Sequence, residues 1–297
     1  MKMIFLFLLL SSNTKKEFSI SLGYGEFDYY YDYEWKRIKI SPLHVFNLFF
    51  KVTNNLFVKK GINFKGILGL NFSRYSFRLP IGILNEITWS SGFSPQSINF
   101  SIIMEKNFFT SEIGYHYDVG PEGTIFLDGG VFLIKSRNSD RQDAVFFNLK
   151  IKSNENPLFK AEANFKYIFT FPVKYIWYEP FFPEEKIRII YYDSGDHIIF
   201  NPKISYKIKN FDLGVNFIHR YRTRDKEWHK QVKSEGVEVH NLSFSPFLRL
   251  NLSSSPLILE INTYVWGEYF PYGITLIAKN DLSTNACVTM NLKYSFK

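Results

Sequence analysis

The segment YYDSGDH, residues 191–197, combines residue types that could carry out hydrolysis. Ser194 offers a hydroxyl nucleophile, His197 a general base, and Asp193 and Asp196 carboxylates that could orient the imidazole ring. The same residues are also common in turns, because Asp, Ser and Gly readily bond to the neighbouring backbone or adopt turn conformations. The segment therefore supports two interpretations, a hydrolytic site or a turn.

Two ladders of charged residues suggest a different chemistry, the selection of ions or polar solutes. GEFDYYYDYEW (25–35) and NFIHRYRTR (216–224) place like charges on one face of an extended chain, because alternate residues share a face. The acidic ladder consists of Glu26, Asp28, Asp32 and Glu34, and the basic ladder of Arg220, Arg222 and Arg224. Opposed across a water-filled pore, such ladders would create a transverse field. The alternative is that both ladders are solvated ends of long strands or bind lipopolysaccharide.

Composition argues against several other kinds of chemistry. Cys287 is the single cysteine, so an intramolecular disulfide and a cysteine-based metal cluster are excluded. The histidines at 116, 219, 229 and 240 lack the spacing of metal ligands, and no phosphate-binding loop is present. The formal net charge of +8 is dispersed, and no nucleic-acid-binding motif accompanies it. We expect no metal, no cofactor and no nucleic-acid partner.

The elements that would carry these residues show a period of two. In PLFKAEANFKYIFTFPVKYIWYEP (157–180), every odd position from Phe159 to Trp177 is apolar or aromatic, while Lys160, Glu162 and Lys166 lie on the other face. Similar alternation occurs in 62–73, 109–119, 144–152, 241–252 and 286–297. The apolar faces of these stretches hold no Asp, Glu, Lys or Arg, although 22% of the chain is charged. This pattern predicts β-strands with one apolar and one polar face.

The length of the strands favours a membrane. About 9–11 tilted residues cross the hydrocarbon layer, and several runs reach that length. A sheet in lipid must close into a barrel to satisfy its backbone, and a charge on its lipid side costs roughly 2–4 kcal/mol. Short polar joints such as TNN (53–55) alternate with long connections such as 178–196, as outer-membrane barrels require. The alternative is a soluble sandwich or lipocalin-like barrel, whose apolar face would point inward.

We therefore predict an all-β fold, a single antiparallel up-and-down transmembrane barrel of about 14 strands, with 12–16 possible. The expected hairpins include 56–73 with 75–90 and 124–136 with 143–152, and the register of 75–107 stays open. Residues 1–13, with Lys2 before an apolar run, are predicted to be a signal peptide, the alternative being a first strand. Residues 14–297 then form the barrel domain.

The last strand, ACVTMNLKYSF (286–296), resembles the C-terminal strand that the barrel-assembly machinery recognises in Gram-negative outer-membrane proteins, although Lys297 follows the terminal aromatic residue. The resemblance is to the broad porin-like class and spans nearly the whole chain. It implies an integral outer-membrane protein with both termini in the periplasm. Its expected partners are outer-membrane lipids, lipopolysaccharide, the assembly machinery and small polar solutes.

The predicted function is a passive or weakly selective diffusion channel for small polar or ionic solutes, and not an enzyme. The predicted pore-lining residues are the two charge ladders together with Lys160, Glu162 and Lys166. Two alternatives stay open: a structural or adhesive barrel with an occluded lumen, and a barrel hydrolase with its site at the extracellular mouth. Bulky residues on polar faces would narrow the lumen or guide a ligand, namely Phe126, Phe132, Phe146, Tyr264 and Trp266.

Overall fold

The computed structural model describes most of the chain from residue 16 to residue 296. The described ranges are 16–31, 37–81, 84–90, 94–119, 122–127, 132–137, 143–153, 158–178, 187–229, 232–236, 238–251, 257–269 and 283–296. No helix in these ranges is long and apolar enough to cross a membrane.

The described residues form nineteen strands. The first ten are β1 Lys16–Tyr31, β2 Arg37–Lys59, β3 Ile62–Ile81, β4 Leu84–Ser90, β5 Ser94–Lys106, β6 Phe109–Asp118, β7 Glu122–Leu127, β8 Phe132–Arg137, β9 Ala144–Lys152 and β10 Phe159–Thr170. The remaining nine are β11 Val173–Tyr178, β12 Ile187–Asp193, β13 His197–Ile208, β14 Phe211–Arg222, β15 Lys226–His229, β16 Val232–Glu235, β17 Val239–Asn251, β18 Leu257–Tyr269 and β19 Ser283–Phe296.

Twelve of these strands close into a ring in which every neighbouring pair is antiparallel. The order around the ring is β1, β2, β3, β5, β6, β9, β10, β13, β14, β17, β18 and β19, and β19 pairs with β1. The ring has no unpaired edge, as a sheet in lipid requires. The predicted up-and-down barrel is therefore confirmed, with the strand number at the lower end of the expected range.

Two expected hairpins are not formed with the predicted bounds and partners, the first because a turn lies at a different place. Strand β2 runs through the polar joint TNN, because Asn54 and Asn55 pair with Gly66 and Lys65. The turn comes later, at Lys60–Gly61, where φ is 51° and 73°. Positive φ at both central residues is the mark of the two-residue hairpin turn that matches strand twist. The strand predicted to begin at residue 56 is thus the end of β2 followed by β3.

The second expected hairpin, 124–136 with 143–152, is not formed, because residues 124–136 fall largely on strands outside the ring. Strand β9 pairs with β6 and β10 in the ring, whereas β7 pairs with β8 and with β4, which extends the far end of β3. Strands β11, β12, β15 and β16 form a second sheet of four. Both extensions lie in the long connections, and we call that side of the barrel the long-loop end. The opposite side, with the turns at 60–61, 107–108 and 209–210, is the short-turn end.

Burial in this barrel is inverted relative to a soluble protein. Among the described side chains only four apolar ones are buried, Ile67, Ala144, Phe146 and Phe247, whereas 29 large hydrophobic side chains are exposed. Phe165, Phe200 and Phe217 belong to the exposed set and lie near the middle of their strands. A soluble barrel would bury this face, and large continuous apolar surfaces mark membrane contacts. The soluble alternative is therefore excluded.

A repeated polar contact fixes the rim at the long-loop end. The Tyr167 hydroxyl donates to Asp196 Oδ2 at 2.5 Å, while the backbone N–H of Thr170 donates to Asp196 Oδ1 at 3.2 Å. Asp143 repeats the arrangement, accepting from the Tyr115 hydroxyl and, at 3.2 Å, from the N–H of Asp118. Each aspartate thus ties the last residue of one strand to the start of the next wall strand, and the tyrosine suits an interfacial aromatic girdle.

We predict that Asp196→Ala lowers the free energy of unfolding by about 2 kcal/mol, because two hydrogen bonds to a carboxylate are lost. Tyr167→Phe, which removes one of them, should cost about 1 kcal/mol. Urea titration followed by the gel mobility of unheated protein measures both. Equal midpoints for Asp196→Ala and the unsubstituted protein would contradict this role for the rim aspartate.

Candidate functional site: the charged lumen

The lumen contains a cavity of about 670 Å³ lined by inward side chains of eight ring strands. Its titratable lining consists of Lys51, Glu112, His116, Asp118, Lys166, His197, Arg220 and Arg222. Four of these side chains are lysines or arginines and two are carboxylates. The charged part of the lining therefore carries an excess of basic groups.

The cations are concentrated on three neighbouring strands. Lys166 on β10 pairs in register with Ile199 on β13, which pairs with Arg220 on β14. One row nearer the long-loop end, Ile168 pairs with His197 and His197 pairs with Arg222. Strands lie about 4.8 Å apart, so the Cα atoms of Lys166 and Arg220 are about 10 Å apart. We call Lys166, His197, Arg220 and Arg222 the cationic wall.

Arg222 keeps unused hydrogen-bonding capacity within this wall. Its Nε atom is buried and has no hydrogen-bond partner among the described residues. Its terminal nitrogen is 4.0 Å from Asp225 Oδ1, a long ion pair. Because a guanidinium remains charged and offers five donors, Arg222 can bind an anion that enters the cavity.

Lys166 is held by an aromatic ring. Its ammonium lies 4.2 Å from the centre of the Phe146 ring, within the range of a cation–π contact. The ring itself is 7% exposed and lies against Gly114 on the next strand, where a Cβ atom would come within 2.3 Å of it. Phe146 therefore lies flat along the wall and leaves the middle of the lumen open.

The same arrangement recurs elsewhere in the ring. Phe247 lies against Gly214, with the Lys203 ammonium 4.1 Å from its ring centre, and Phe49 lies against Gly69. Of the other bulky residues expected in the lumen, Phe126 and Phe132 are on β7 and β8, outside the ring. The side chains of Tyr264 and Trp266 lie outside the described part of the structure.

The acidic side of the cavity comes from Glu112 and Asp118 on β6, a predicted strand whose carboxylates were not among the predicted pore-lining residues. Glu112 accepts a hydrogen bond from Asn148 Nδ2 at 3.2 Å, and Asp118 lines the same cavity. The signal was present in FTSEIGYHYD (109–118), whose polar face reads Thr, Glu, Gly, His and Asp at alternate positions. His116 on that face contacts Asn99 Oδ1 through Nδ1 at 2.7 Å.

The predicted lining residues near the short-turn end are in a different setting. Glu162 forms an ion pair with Lys150 at 2.5 Å, and Lys160, two residues earlier, is exposed. Ion pairs also join Lys65 to Glu105 at 2.7 Å and Asp212 to Arg249 at 4.0 Å. These ion pairs offset part of the charge, but Lys152 and Lys203 also lie close to Glu162, so the positive excess extends into this half of the lumen.

The basic ladder is divided by the structure and the acidic ladder is only partly described. Arg220 and Arg222 line the cavity, whereas Arg224 follows the end of β14 and pairs with Glu238 at 3.6 Å. Glu26 and Asp28 belong to β1, where the register pairs Glu26 with Val288, but their side chains lie outside the described part. Asp32 and Glu34 lie outside the described residues. A pore-lining role for these four carboxylates stays a prediction.

The DSGDH segment is folded as a turn. Asp193 Oδ1 accepts hydrogen bonds from the backbone N–H of Gly195 at 3.0 Å and from the hydroxyl of Thr170 at 3.3 Å. Asp196 is the rim aspartate described above, and Ser194 is buried, its hydroxyl donating to the carbonyl of Gly195 at 3.4 Å. Both carboxylates hold backbone and rim contacts, which favours the turn interpretation. Across the described residues, no group of three or more His, Cys, Asp or Glu could hold a metal ion.

Comparison with known proteins adds a fold relationship. No protein-family model and no curated protein matches the sequence. An outer-membrane channel from Pseudomonas putida F1 superposes with a TM-score of 0.61 and 7% identity, covering 95% of this chain and 96% of that chain. The transport unit of the autotransporter AIDA-I from Escherichia coli gives a TM-score of 0.48 at 10% identity, covering 97% and 91%. The CymD monoaromatic hydrocarbon channel gives 0.47 at 7%, covering 98% and 92%.

At these sequence identities the similarity concerns the fold alone. Of the three superpositions, only the one with the Pseudomonas putida channel supports a shared fold. The chain has the fold of the bacterial outer-membrane β-barrels, as its C-terminal strand and its alternation predicted.

Proposed function

We propose that this protein is a channel of the bacterial outer membrane for small polar or ionic solutes, with a preference for anions. The observation that carries the proposal is the charged lining of the lumen cavity, where two lysines and two arginines outnumber two carboxylates. The apolar exterior supports a bilayer location, and the flat aromatic rings at Gly69, Gly114 and Gly214 leave space for solutes.

The proposed orientation follows from the two unlike ends of the barrel. Outer-membrane barrels have short periplasmic turns and longer extracellular loops. The short-turn end, which includes the start of β1 and the end of β19, would then face the periplasm, placing both termini there. The cationic wall lies nearer the long-loop end and would meet solutes arriving from outside. Lipopolysaccharide and the barrel-assembly machinery remain proposed partners on the same grounds.

The proposed mechanism is electrostatic and needs no moving part. An anion passing the cavity is attracted by Arg222, Arg220 and Lys166, and repelled by Glu112 and Asp118 on β6. Two unit charges 4 Å apart in water interact with an energy of about 1 kcal/mol, which is enough to bias permeation without trapping the ion. Conduction requires such weak binding, because a tightly held ion blocks the pore.

Substituting Arg220 and Arg222 together by alanine tests the cationic wall. We expect the anion-to-cation permeability ratio to fall by roughly thirtyfold, since the two lost cations together remove about 2 kcal/mol of attraction for an anion. The reversal potential of the purified protein in a planar bilayer under a salt gradient measures this ratio.

Arg224→Ala is the matched control, because it removes the same charge from a loop position that already pairs with Glu238. It should leave the reversal potential unchanged. If the Arg220/Arg222 double substitution also leaves it unchanged, the anion preference does not come from this wall. A protein that inserts into bilayers but passes no current would contradict the channel and favour the barrel with an occluded lumen.

A further inference from the structure

Asparagine recurs on the lumen side of most ring strands. Nine described asparagines are separated by an even number of residues from a cavity-lining residue of the same strand, or line the cavity themselves, and therefore face inward. Two of them, Asn55 and Asn63, lie close to the short-turn end. The other seven lie farther along their strands and are Asn47 on β2, Asn71 on β3, Asn99 on β5, Asn148 on β9, Asn164 on β10, Asn201 on β13 and Asn216 on β14. Two further asparagines, whose side chains lie outside the described part of the structure, are placed by backbone register alone: Asn262 on β18, opposite Phe247, and Asn291 on β19, opposite Gly23.

These positions form one closed path around the barrel. Some neighbours are direct register partners, namely Asn164 with Asn201, Asn216 with Ser245, Asn291 with Gly23, and Gly23 with Asn47. Each remaining pair of neighbours on the path is offset from direct register by two residues, and the offset is toward the short-turn end. For example, Asn148 pairs with Lys166, and Asn164 lies two residues below Lys166 on the same strand. Gly114 on β6 completes the path, which returns to its start.

The path is level with respect to the membrane. Barrel strands tilt by about 35–45°, so positions at equal height shift by about one residue from strand to strand. The direction of the shift is visible in the row that begins at Lys152, the last residue of β9, and reaches Ser245 in the interior of β17. Register rows therefore rise toward the long-loop end, and a path that steps toward the short-turn end stays at constant height.

The composition of this ring differs from the rest of the lumen. Nine of its twelve positions are asparagine, and the other three are Gly23, Gly114 and Ser245, so no position carries a charge. With 23 asparagines among 297 residues, about one would be expected by chance in twelve positions. We call these nine residues the asparagine ring.

The ring presents carbonyl oxygens that need hydrogen-bond donors. The Oδ1 atoms of Asn148, Asn164, Asn201 and Asn216 are buried without a hydrogen-bond partner among the described residues. A buried polar atom left unpaired is costly, so a rotation of the amide that brings its oxygen to a donating solute or water is favoured. Hydroxyl groups donate and accept, as amides do, whereas carboxylate and phosphate oxygens accept only.

We propose that the asparagine ring is a binding site for hydroxyl-rich solutes, such as sugars, polyols and sugar acids. The inference rests on the proposed channel and names the class of solute that the channel passes. Amide groups around the lumen replace the water that hydrates the solute's hydroxyls, and the cationic wall, nearer the long-loop end, adds attraction when the solute also carries a carboxylate.

The test is current block in a planar bilayer by three probes: glucose, glucuronate and acetate. Glucose and glucuronate should reduce the potassium chloride current in a concentration-dependent way, and acetate, which has no hydroxyl groups, should not. In Asn201→Leu combined with Asn216→Leu, the half-blocking concentrations of both sugars should rise by roughly tenfold or more, because each lost hydrogen bond weakens binding several-fold.

Two variants control for the substitution itself. Asn63→Leu makes the same chemical change on the lumen face of β3, outside the ring, and should leave the block unchanged. Asn201→Gln with Asn216→Gln keeps the amides and should retain most of the block. An equal block in the leucine and unsubstituted proteins, or no block by either sugar, would overturn the ring as a binding site. The unblocked current separates this failure from a failure of the channel itself, which would show no current at all.

Discussion

Phe217→Lys is expected to destabilise the barrel in a bilayer by about 2–4 kcal/mol, because it places a charge on the lipid face near the middle of β14. The Phe217 side chain is 38% exposed and lies between the outward residues Val215 and His219. Its place on the outer face of the barrel puts it against acyl tails in a bilayer. In a urea titration with lipid vesicles, the folded fraction should be lost at clearly lower urea concentration.

The adjacent residue provides the control. Ile218 alternates with Phe217 and shares the lumen face with Arg220 and Asn216. Ile218→Lys introduces the same charge one residue away, on the water-filled side, and should change the free energy of unfolding by less than about 1 kcal/mol. If the two lysine variants unfold at the same urea concentration, the apolar faces of the strands do not contact lipid.

The sequence allowed the face of each strand residue to be predicted, because side chains in a strand alternate strictly between its two faces. Once Phe165 and Phe169 are assigned to the apolar side of β10, Lys166 and Glu162 must lie on the other side. The strand number was harder to predict. Residues 124–136 alternate like a wall strand, yet β7 and β8 lie in a long connection, where strands also alternate. Alternation reveals that a strand has two faces but not what each face contacts.

The candidate site was predictable only as far as it depended on single strands. Arg220 and Arg222 stood out because their charges repeat within one strand. Glu112 and Asp118 were missed because which strand lies across the cavity depends on pairings among many strands. The asparagine ring is an extreme case, since most strands supply one residue and its level course appears only after all twelve registers are known. A sequence pattern carries no information about barrel tilt, which sets these heights.

Gly214→Ala is expected to destabilise the barrel by about 3 kcal/mol, the upper part of the range for overpacking. A Cβ atom at this position would lie 2.4 Å from the carbonyl oxygen of Ile204 and 2.4 Å from the ring of Phe247. The ring is only 4% exposed and is covered by the Lys203 ammonium, so it cannot move without displacing that cation into the lumen. Urea midpoints and single-channel conductance should therefore both decrease.

A comparison with Gly69 separates the two contacts. At Gly69 the close atoms belong to the Phe49 ring, at 2.8 and 3.0 Å, and the next atom is 3.6 Å away. Phe49→Ala should therefore rescue Gly69→Ala almost completely, whereas Phe247→Ala should rescue Gly214→Ala only in part, because the Ile204 carbonyl remains. Full rescue at both sites would show that the backbone at Gly214 yields freely. No rescue at Gly69 would mean that the ring does not lie on the glycine, and the open lumen required for conduction would lose its structural basis.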